Sequence, residues 1–150
     1  MPEAATPQLA ELKVPAGDEF IGLAKRVAAS LGGMLGFSLE EIDELSIAVA
    51  QACGSAIDAA EERWGSAATL KLTFSQTERG IAVDVETIAP RSREALPKPA
   101  QRRPARSRSE VEAQQAIARE MIRLFVDDFR HQVDSGRRLI RYRMVKYLIS

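Results

Sequence analysis

Residues 44–57 read ELSIAVAQACGSAI, and this stretch decides the fold. Ser38 and Glu41 precede it at the spacing of a capping box, which predicts a helix running from there to about residue 62. At about 100° per residue, the apolar positions form one face, which we expect in the core. That face consists of Ile42, Leu45, Val49, Cys53, Ala56 and Ala60. The opposite face is small or polar rather than long and charged, so we expect it to line a pocket or a partner surface. That second face consists of Glu44, Ala48, Gln51, Ser55 and Asp58.

The rest of the chain is organised around this helix. Residues 1–10 are predicted to be a disordered tail, and residues 11–150 a single domain that carries a basic loop at 89–109. Hydrophobic spacing predicts the other elements. They are a strand at 11–15, a helix from Asp18 to about Met34, hairpins at about 70–85 and 129–144, and a helix from Ser109 to Val126. This order predicts an α/β two-layer sandwich of about three helices on a mixed, mostly antiparallel sheet.

Helical periodicity also assigns inward-facing side chains to the two flanking helices. For the first helix they are Phe20, Leu23, Val27, Leu31 and Met34. For the third helix they are Ile117, Met121, Leu124 and Phe125.

Composition limits the kind of partner. Lys plus Arg and Asp plus Glu number 21 each, so the formal net charge is zero and no direct binding to nucleic acid or membrane is expected. Cys53 is the only cysteine, which excludes an internal disulfide. We expect it to be a small buried hydrophobe. The N-terminal sequence does not have the pattern of a signal peptide, and no apolar run is long enough to span a bilayer. A cytoplasmic location is the resulting expectation.

One segment departs from this charge balance. Residues 91–108 carry seven Lys or Arg residues and a single acid, and they are rich in proline. Such a segment is typical of a mobile loop, because proline disfavours helix and inner strand while like charges repel. Two interpretations stay open: a solvated connection, or a segment that binds an acidic partner. In the second case the binding residues would be Arg102, Arg103, Arg106 and Arg108.

Three stretches together resemble a known family. They are Leu12-Lys13-Val14-Pro15-Ala16, residues 44–57, and Arg143-Met144-Val145-Lys146-Tyr147-Leu148. Their order is similar to that of the bacterial anti-sigma-factor serine kinases, which have the histidine-kinase-like ATPase (Bergerat) fold. The resemblance implies a homodimeric regulator of transcription that acts in a stress response. Such a regulator sequesters a sigma factor until an antagonist protein releases it.

The family has a nucleotide-binding motif on the helix that matches residues 44–57, and the residues of that motif differ in this chain. The motif is a Glu, which acts as base or positions water, and four residues later an Asn that ligates the magnesium of Mg-ATP. The matching positions here are Gln51 and Ser55. A carboxamide does not accept a proton at neutral pH, and a hydroxyl is a shorter and weaker oxygen ligand. The resemblance therefore implies a degenerate nucleotide site.

The glycine-rich motifs of the family are absent. Its Asp-x-Gly-x-Gly motif, whose Asp reads the adenine amino group, would place the Asp at about Thr87 and the glycines at about Ala89 and Arg91. No glycine occurs between Gly80 and Gly136, so the glycine turn that normally approaches phosphate is missing as well. Thr87 joins Gln51 and Ser55 as a candidate remnant of the cofactor-binding site.

These observations predict an anti-sigma-factor-like regulator that binds a sigma factor or an antagonist without kinase activity, in effect a pseudokinase. No catalytic or metal-ligating residues are assigned, and no cofactor is expected. The alternative is an active serine/threonine protein kinase that binds Mg-ATP and phosphorylates the antagonist. A further alternative is a regulatory module of a signalling system unrelated to sigma factors. Gln51 and Ser55 also allow a plainer interpretation as ordinary helix residues.

Overall fold

The computed structural model describes residues 7–65, 67–90 and 107–148. Five strands and three α-helices follow one another in the predicted order, with a short 3-10 helix before α1. The strands are β1 (Gln8–Pro15), β2 (Thr69–Gln76), β3 (Gly80–Ile88), β4 (Asp128–Asp134) and β5 (Leu139–Tyr147). The helices are the 3-10 helix (Asp18–Phe20), α1 (Ile21–Met34), α2 (Leu39–Trp64) and α3 (Arg108–Phe125).

The sheet has the strand order β1-β2-β3-β5-β4, so β5 lies between β3 and β4. Every described strand pair is antiparallel, which corrects the mixed sheet of the prediction. The helices pack on one face of the sheet, and α2 contacts the central strands β3 and β5. The predicted fold class, a two-layer α/β sandwich, is confirmed.

The long helix α2 begins where its sequence predicts. The Ser38 hydroxyl accepts a hydrogen bond from the Glu41 backbone N–H at 3.1 Å, and the Glu41 carboxylate accepts one from the Ser38 N–H at 2.8 Å. This capping box satisfies two backbone donors that the first turn would otherwise leave unpaired. The predicted apolar face is buried along α2, from Leu45 to Ala60, with only Ile42 at its start partly exposed.

The first strand begins earlier than predicted. Gln8 pairs with Ser75, and Ala10 pairs with Phe74 across a local bulge, so residues 8–10 are strand rather than tail. The reason is that β2 is long enough to offer them partners: its last residue, Gln76, donates its N–H to the carbonyl of Pro7 at 2.8 Å. Residues 1–6 lie outside the described residues.

The inward faces predicted for α1 and α3 are wrong in part. Leu23 and Met34 are exposed, and so are Ile117 and Leu124. Alanines and a glycine face the core instead, because small side chains let the helices approach α2 closely. The buried residues are Ala24, Ala28, Leu31 and Gly32 in α1, and Val111, Ala118 and Ile122 in α3.

The sheet face away from the helices carries a compact group of ion pairs. Asp84 in β3 is 6% exposed although no helix covers it. Arg143 donates to one of its carboxylate oxygens at 2.7 Å, and Arg141 donates to the other at 3.1 and 3.2 Å. These two arginines neutralise the Asp84 carboxylate and shield it from solvent.

Candidate functional site

A cavity of about 340 Å³ lies between α2 and α3. The polar face predicted for α2 supplies one wall, and the first half of α3 supplies the other. The lining residues are Ala50, Gln51, Gly54, Ser55, Asp58, Gln114, Gln115, Ile117 and Ala118. No Lys, Arg or His lines the cavity among the described residues, and the one charged side chain that does is a carboxylate. The described lining thus offers amide groups and no cationic side chain.

The Ser55 hydroxyl is held inside the core. Its Oγ lies 2.6 Å from the Oη of Tyr142, a residue of β5 that is fully buried, and Ser55 itself is 4% exposed. The Tyr142 ring packs edge-on against His131 at 4.7 Å and beside Phe129 at 5.7 Å. The hydroxyl at the position that resembles the family's metal ligand is therefore hydrogen-bonded to the sheet beneath it.

Thr87 does not reach the cavity. It is fully buried near the end of β3, and its Oγ1 donates a hydrogen bond to the carbonyl oxygen of Ala56 at 3.2 Å. That carbonyl is in the middle of α2, so the bond fastens the helix to the sheet. The structure thus brings Gln51 and Ser55 together at the cavity and leaves Thr87 behind α2.

Gln51 is the predicted site residue that stays open to solvent, since it is partly exposed and lines the cavity. Its neighbour across the cavity, Gln115, buries its Nε2 without a hydrogen-bond partner among the described residues. Neither side chain can accept a proton from a reacting group at neutral pH.

A second cavity, of about 430 Å³, lies where the end of α2 and the start of α3 meet β4. Arg63 and His131 line it together with Glu62 and Glu112, so its charges are mixed. Burial lowers the pKa of His131 from its usual 6.5, and the positive charges of Arg119 and Arg63 lower it further. The lowered pKa favours the neutral form of His131, whose ring packs edge-on against Tyr142.

The remaining predicted residues divide into two groups. Cys53 is fully buried on the apolar face of α2, as predicted, and burial raises the pKa of its thiol to about 12. Of the predicted partner-binding residues, Arg102, Arg103 and Arg106 lie outside the described residues. Arg108 is the first residue of α3, and its side chain is likewise outside what the structure describes. The binding role of this segment stays a prediction.

Sequence reasoning missed the part that Tyr142 has in the site. The alternation of the last strand places Tyr142 on the same face as Ile140 and Met144, and all three side chains are buried. Its hydrogen bond to Ser55 joins residues 87 positions apart in the chain, however, and nothing local in the sequence indicates it.

No group of His, Cys, Asp or Glu side chains within residues 7–65, 67–90 and 107–148 has a metal-binding arrangement. None of the described helices has the length and apolar character needed to cross a membrane.

The sheet order, the three helices on one face and the cavity beside α2 define the class of the protein. It is a histidine-kinase-like ATPase fold. No family profile matches the chain. Relatives named serine-protein kinase RsbW do match parts of it. The one from Halalkalibacterium halodurans is 32% identical over 79 residues, which are 53% of this chain and 47% of that protein.

Two other relatives of the same name match shorter stretches. The Oceanobacillus iheyensis protein is 38% identical over 48 residues, 32% of this chain and 30% of that protein. The Bacillus subtilis protein is 36% identical over 47 residues, 31% of this chain and 29% of that protein. The matches span half or less of the length of these relatives. The predicted resemblance to the anti-sigma-factor serine-kinase family is confirmed.

Proposed function

We propose that this chain is an anti-sigma-factor-like regulatory protein that works by binding a sigma factor or an antagonist protein and does not transfer phosphate. The kinase name of its relatives belongs to those proteins. In this proposal the chain has the fold of the family without its nucleotide chemistry, because fold and active site are separable. A cytoplasmic location and a homodimer are part of the same proposal.

One observation carries the loss of nucleotide binding. Both hydroxyls at the positions that resemble the family's site already have partners inside the protein: Ser55 with Tyr142, and Thr87 with the Ala56 carbonyl. If either hydroxyl turned away from its partner to ligate a metal or read a base, it would leave a buried group unsatisfied, at about 1–3 kcal/mol apiece.

The charge of the cavity supports the same conclusion. Phosphate binding relies on cationic side chains, a metal ion or backbone N–H groups at a glycine turn. The described lining of the cavity supplies no cation, and the chain has no glycine between Gly80 and Gly136. The residues present do not fit Mg-ATP, and we assign no step to it.

The second candidate is an active serine-protein kinase, and the name shared by the relatives favours it. Such a kinase needs ordered phosphates, a metal ion and a positioned acceptor hydroxyl. Gln51 stands where the resemblance implies the carboxylate that would position water or act as base. The active kinase must therefore obtain these groups from outside the described residues.

Partner binding with and without nucleotide separates the two candidates. Purified sigma factors and antagonist-fold proteins from the source organism are immobilised one at a time, and the affinity of this protein is measured with no nucleotide and with 
Mg-ATP. The proposal expects one partner to bind with the same dissociation constant in both conditions. A regulatory role through these partners is refuted if none of them binds.

A phosphotransfer assay completes the test. The bound partner is incubated with labelled ATP and either this protein or its Gln51→Ala variant. The proposal expects no label on the partner from either protein. Label that depends on Gln51 would establish the kinase instead, while leaving the binding result in place.

A further inference from the structure

Large apolar side chains are exposed together at one end of the helical layer. Met34 is the last residue of α1, Leu39 the first of α2, and Leu124 the last but one of α3. Their exposed fractions are 79%, 82% and 76%, the highest for large apolar side chains in the part of the chain that the structure describes. Tyr147 and Leu148, at the end of β5, are exposed as well.

Hydrogen bonds hold these helix and strand ends together. Lys146 is buried, and its Nζ donates to the carbonyl of Phe125 at the end of α3 at 2.7 Å. The same Nζ donates to the carboxylate of Glu44 in α2 at 3.2 Å. A short loop, residues 35–38, joins the end of α1 to the start of α2. We call this surface the apolar end; its residues are Met34, Leu39, Leu124, Tyr147 and Leu148.

The rim of the apolar end is acidic. Glu40 and Asp43 are exposed in the first turns of α2, and no ion pair involves them among the described residues. Asp127 follows α3 and accepts the backbone N–H of Tyr147 at 2.7 Å. Of the basic side chains nearby, the buried lysine is paired with Glu44 and Arg123 with Glu120 at 3.0 Å. The exposed Arg79, whose carbonyl accepts the Leu148 N–H, makes no ion pair among the described residues. The carboxylates of Glu40, Asp43 and Asp127 outnumber this one arginine, so the rim carries a net negative charge.

We propose that the apolar end docks a basic amphipathic segment of another protein. Exposed apolar side chains rimmed by charge mark an interaction surface, and their apolar area favours a partner with apolar side chains of its own. The acidic rim selects the sign of the partner's charge and speeds its association. Nucleic acid and anionic membrane carry the wrong charge. A second copy would bring Glu40 and Asp43 against equivalent carboxylates.

This surface is separate from the cavity and from Thr87. Gly80 pairs with Tyr147 at the apolar end, whereas Thr87 pairs with Ile140 near the opposite end of the same strands. A segment bound at the apolar end leaves the cavity between α2 and α3 open. The inference therefore stands whether or not the protein binds a nucleotide.

The test uses a designed peptide as the probe. The peptide is about 18 residues long, enough to form a helix on binding, with Leu on one face and Lys on the other. A matched peptide has Glu in place of Lys. Each is titrated into the full chain and followed by NMR. We expect the Lys peptide alone to bind, with methyl shifts confined to Met34, Leu39 and Leu124 and an affinity that weakens with added salt.

Variants identify the contact. We expect Leu39→Ser to weaken the Lys peptide about tenfold or more, because a buried leucine contributes about 1.5–3 kcal/mol. Asp43→Asn should weaken it less and reduce the salt dependence. The matched control is Ile117→Ser, which changes a side chain of α3 that is 61% exposed and lies at the cavity instead. It should leave the affinity unchanged, and thermal unfolding confirms that each variant is folded.

Four results would overturn the proposal. They are no shift with the Lys peptide, shifts centred elsewhere, equal binding of the Glu peptide, and equal weakening by Ile117→Ser. Sedimentation and vesicle flotation cover the other occupants. If Leu39→Ser converts a dimer to a monomer, the occupant is a second copy. If the wild-type protein floats with vesicles of phosphatidylglycerol and Leu39→Ser does not, the occupant is a membrane.

Discussion

The hydrogen bond between Ser55 and Tyr142 is the feature on which the proposed loss of nucleotide binding depends most, and a double-mutant cycle measures it. Tyr142→Phe removes one hydroxyl without changing the volume of the ring, at a position that is fully buried. The Ser55 hydroxyl that remains can turn to the carbonyl four residues earlier in α2. We therefore expect a loss of about 1 kcal/mol in the free energy of unfolding.

Ser55→Ala should be the more damaging change. It leaves the Tyr142 hydroxyl buried without its partner, and no other described hydrogen bond involves that group. We expect a loss of about 1–3 kcal/mol, reduced by a few tenths because alanine is the better helix former. For a chain of 150 residues, each kcal/mol corresponds to a fall of about 2–4 °C in Tm.

The double variant decides whether the two hydroxyls act as a pair. Removing both should cost less than the sum of the single losses, with a coupling of about 1 kcal/mol. Urea denaturation followed by circular dichroism gives the four free energies. Strict additivity of the two single effects would refute the argument, because it would mean that the two hydroxyls do not interact.

Three further predictions concern other parts of the molecule. A Cβ at Gly80 would lie 2.0 Å from the carbonyl oxygen of Lys146, so Gly80→Ala should lower the free energy of unfolding by about 3 kcal/mol. The control is Gly22→Ala, whose Cβ would meet no atom within 4 Å and which should be neutral or stabilising by up to about 1 kcal/mol. Equal effects of the two variants in urea denaturation would contradict this prediction. Cys53, whose pKa burial raises to about 12, should react with Ellman's reagent at pH 8 only on unfolding, and modification of the native protein would disprove its burial. Because the pKa of His131, the only histidine, is lowered in the folded protein, the unfolded chain takes up a proton first as pH falls below about 6.5. The free energy of unfolding should therefore decline from pH 7 to 5.5, and it should decline less in His131→Gln. The midpoints of urea denaturation at each pH measure both effects.

Local signals predicted the elements of the fold. The capping box at Ser38 and the alternation of the two hairpins depend on residues close in sequence, and the structure confirms both. The start of β1 at Gln8 depends instead on the length of a partner strand some 60 residues away, which the tail-like composition of the N-terminus conceals. Hydrophobic spacing alone predicts the wrong inward residues for α1 and α3, because it takes no account of side-chain size. Alanine packs closer than leucine, and Ala118 faces the core where Ile117 was expected.

The sequence of α2 predicts which side chains face the candidate site, but it does not predict their hydrogen-bond partners. The spacing of about 100° per residue places Gln51, Ser55 and Asp58 on one side of α2, and all three line the cavity. The hydrogen bonds that those side chains form depend on the strands against which α2 packs. Whether Ser55 points its hydroxyl into the cavity or bonds it to Tyr142 is decided by the position of β5, and the pattern of α2 contains no information about that strand.

The place of β5 in the sheet has a consequence for how the protein is made. β5 lies between β3 and β4 and pairs with β3 along its whole length, yet it is the last of the described strands to be synthesised. Until residues through Tyr147 have left the ribosome, β3 presents an open edge, and the apolar faces of α2 and α3 lack part of the sheet that covers them. From the completion of β3 until β5 has been made, the nascent chain is therefore open to wrong strand pairing, and we expect its yield to depend on chaperones.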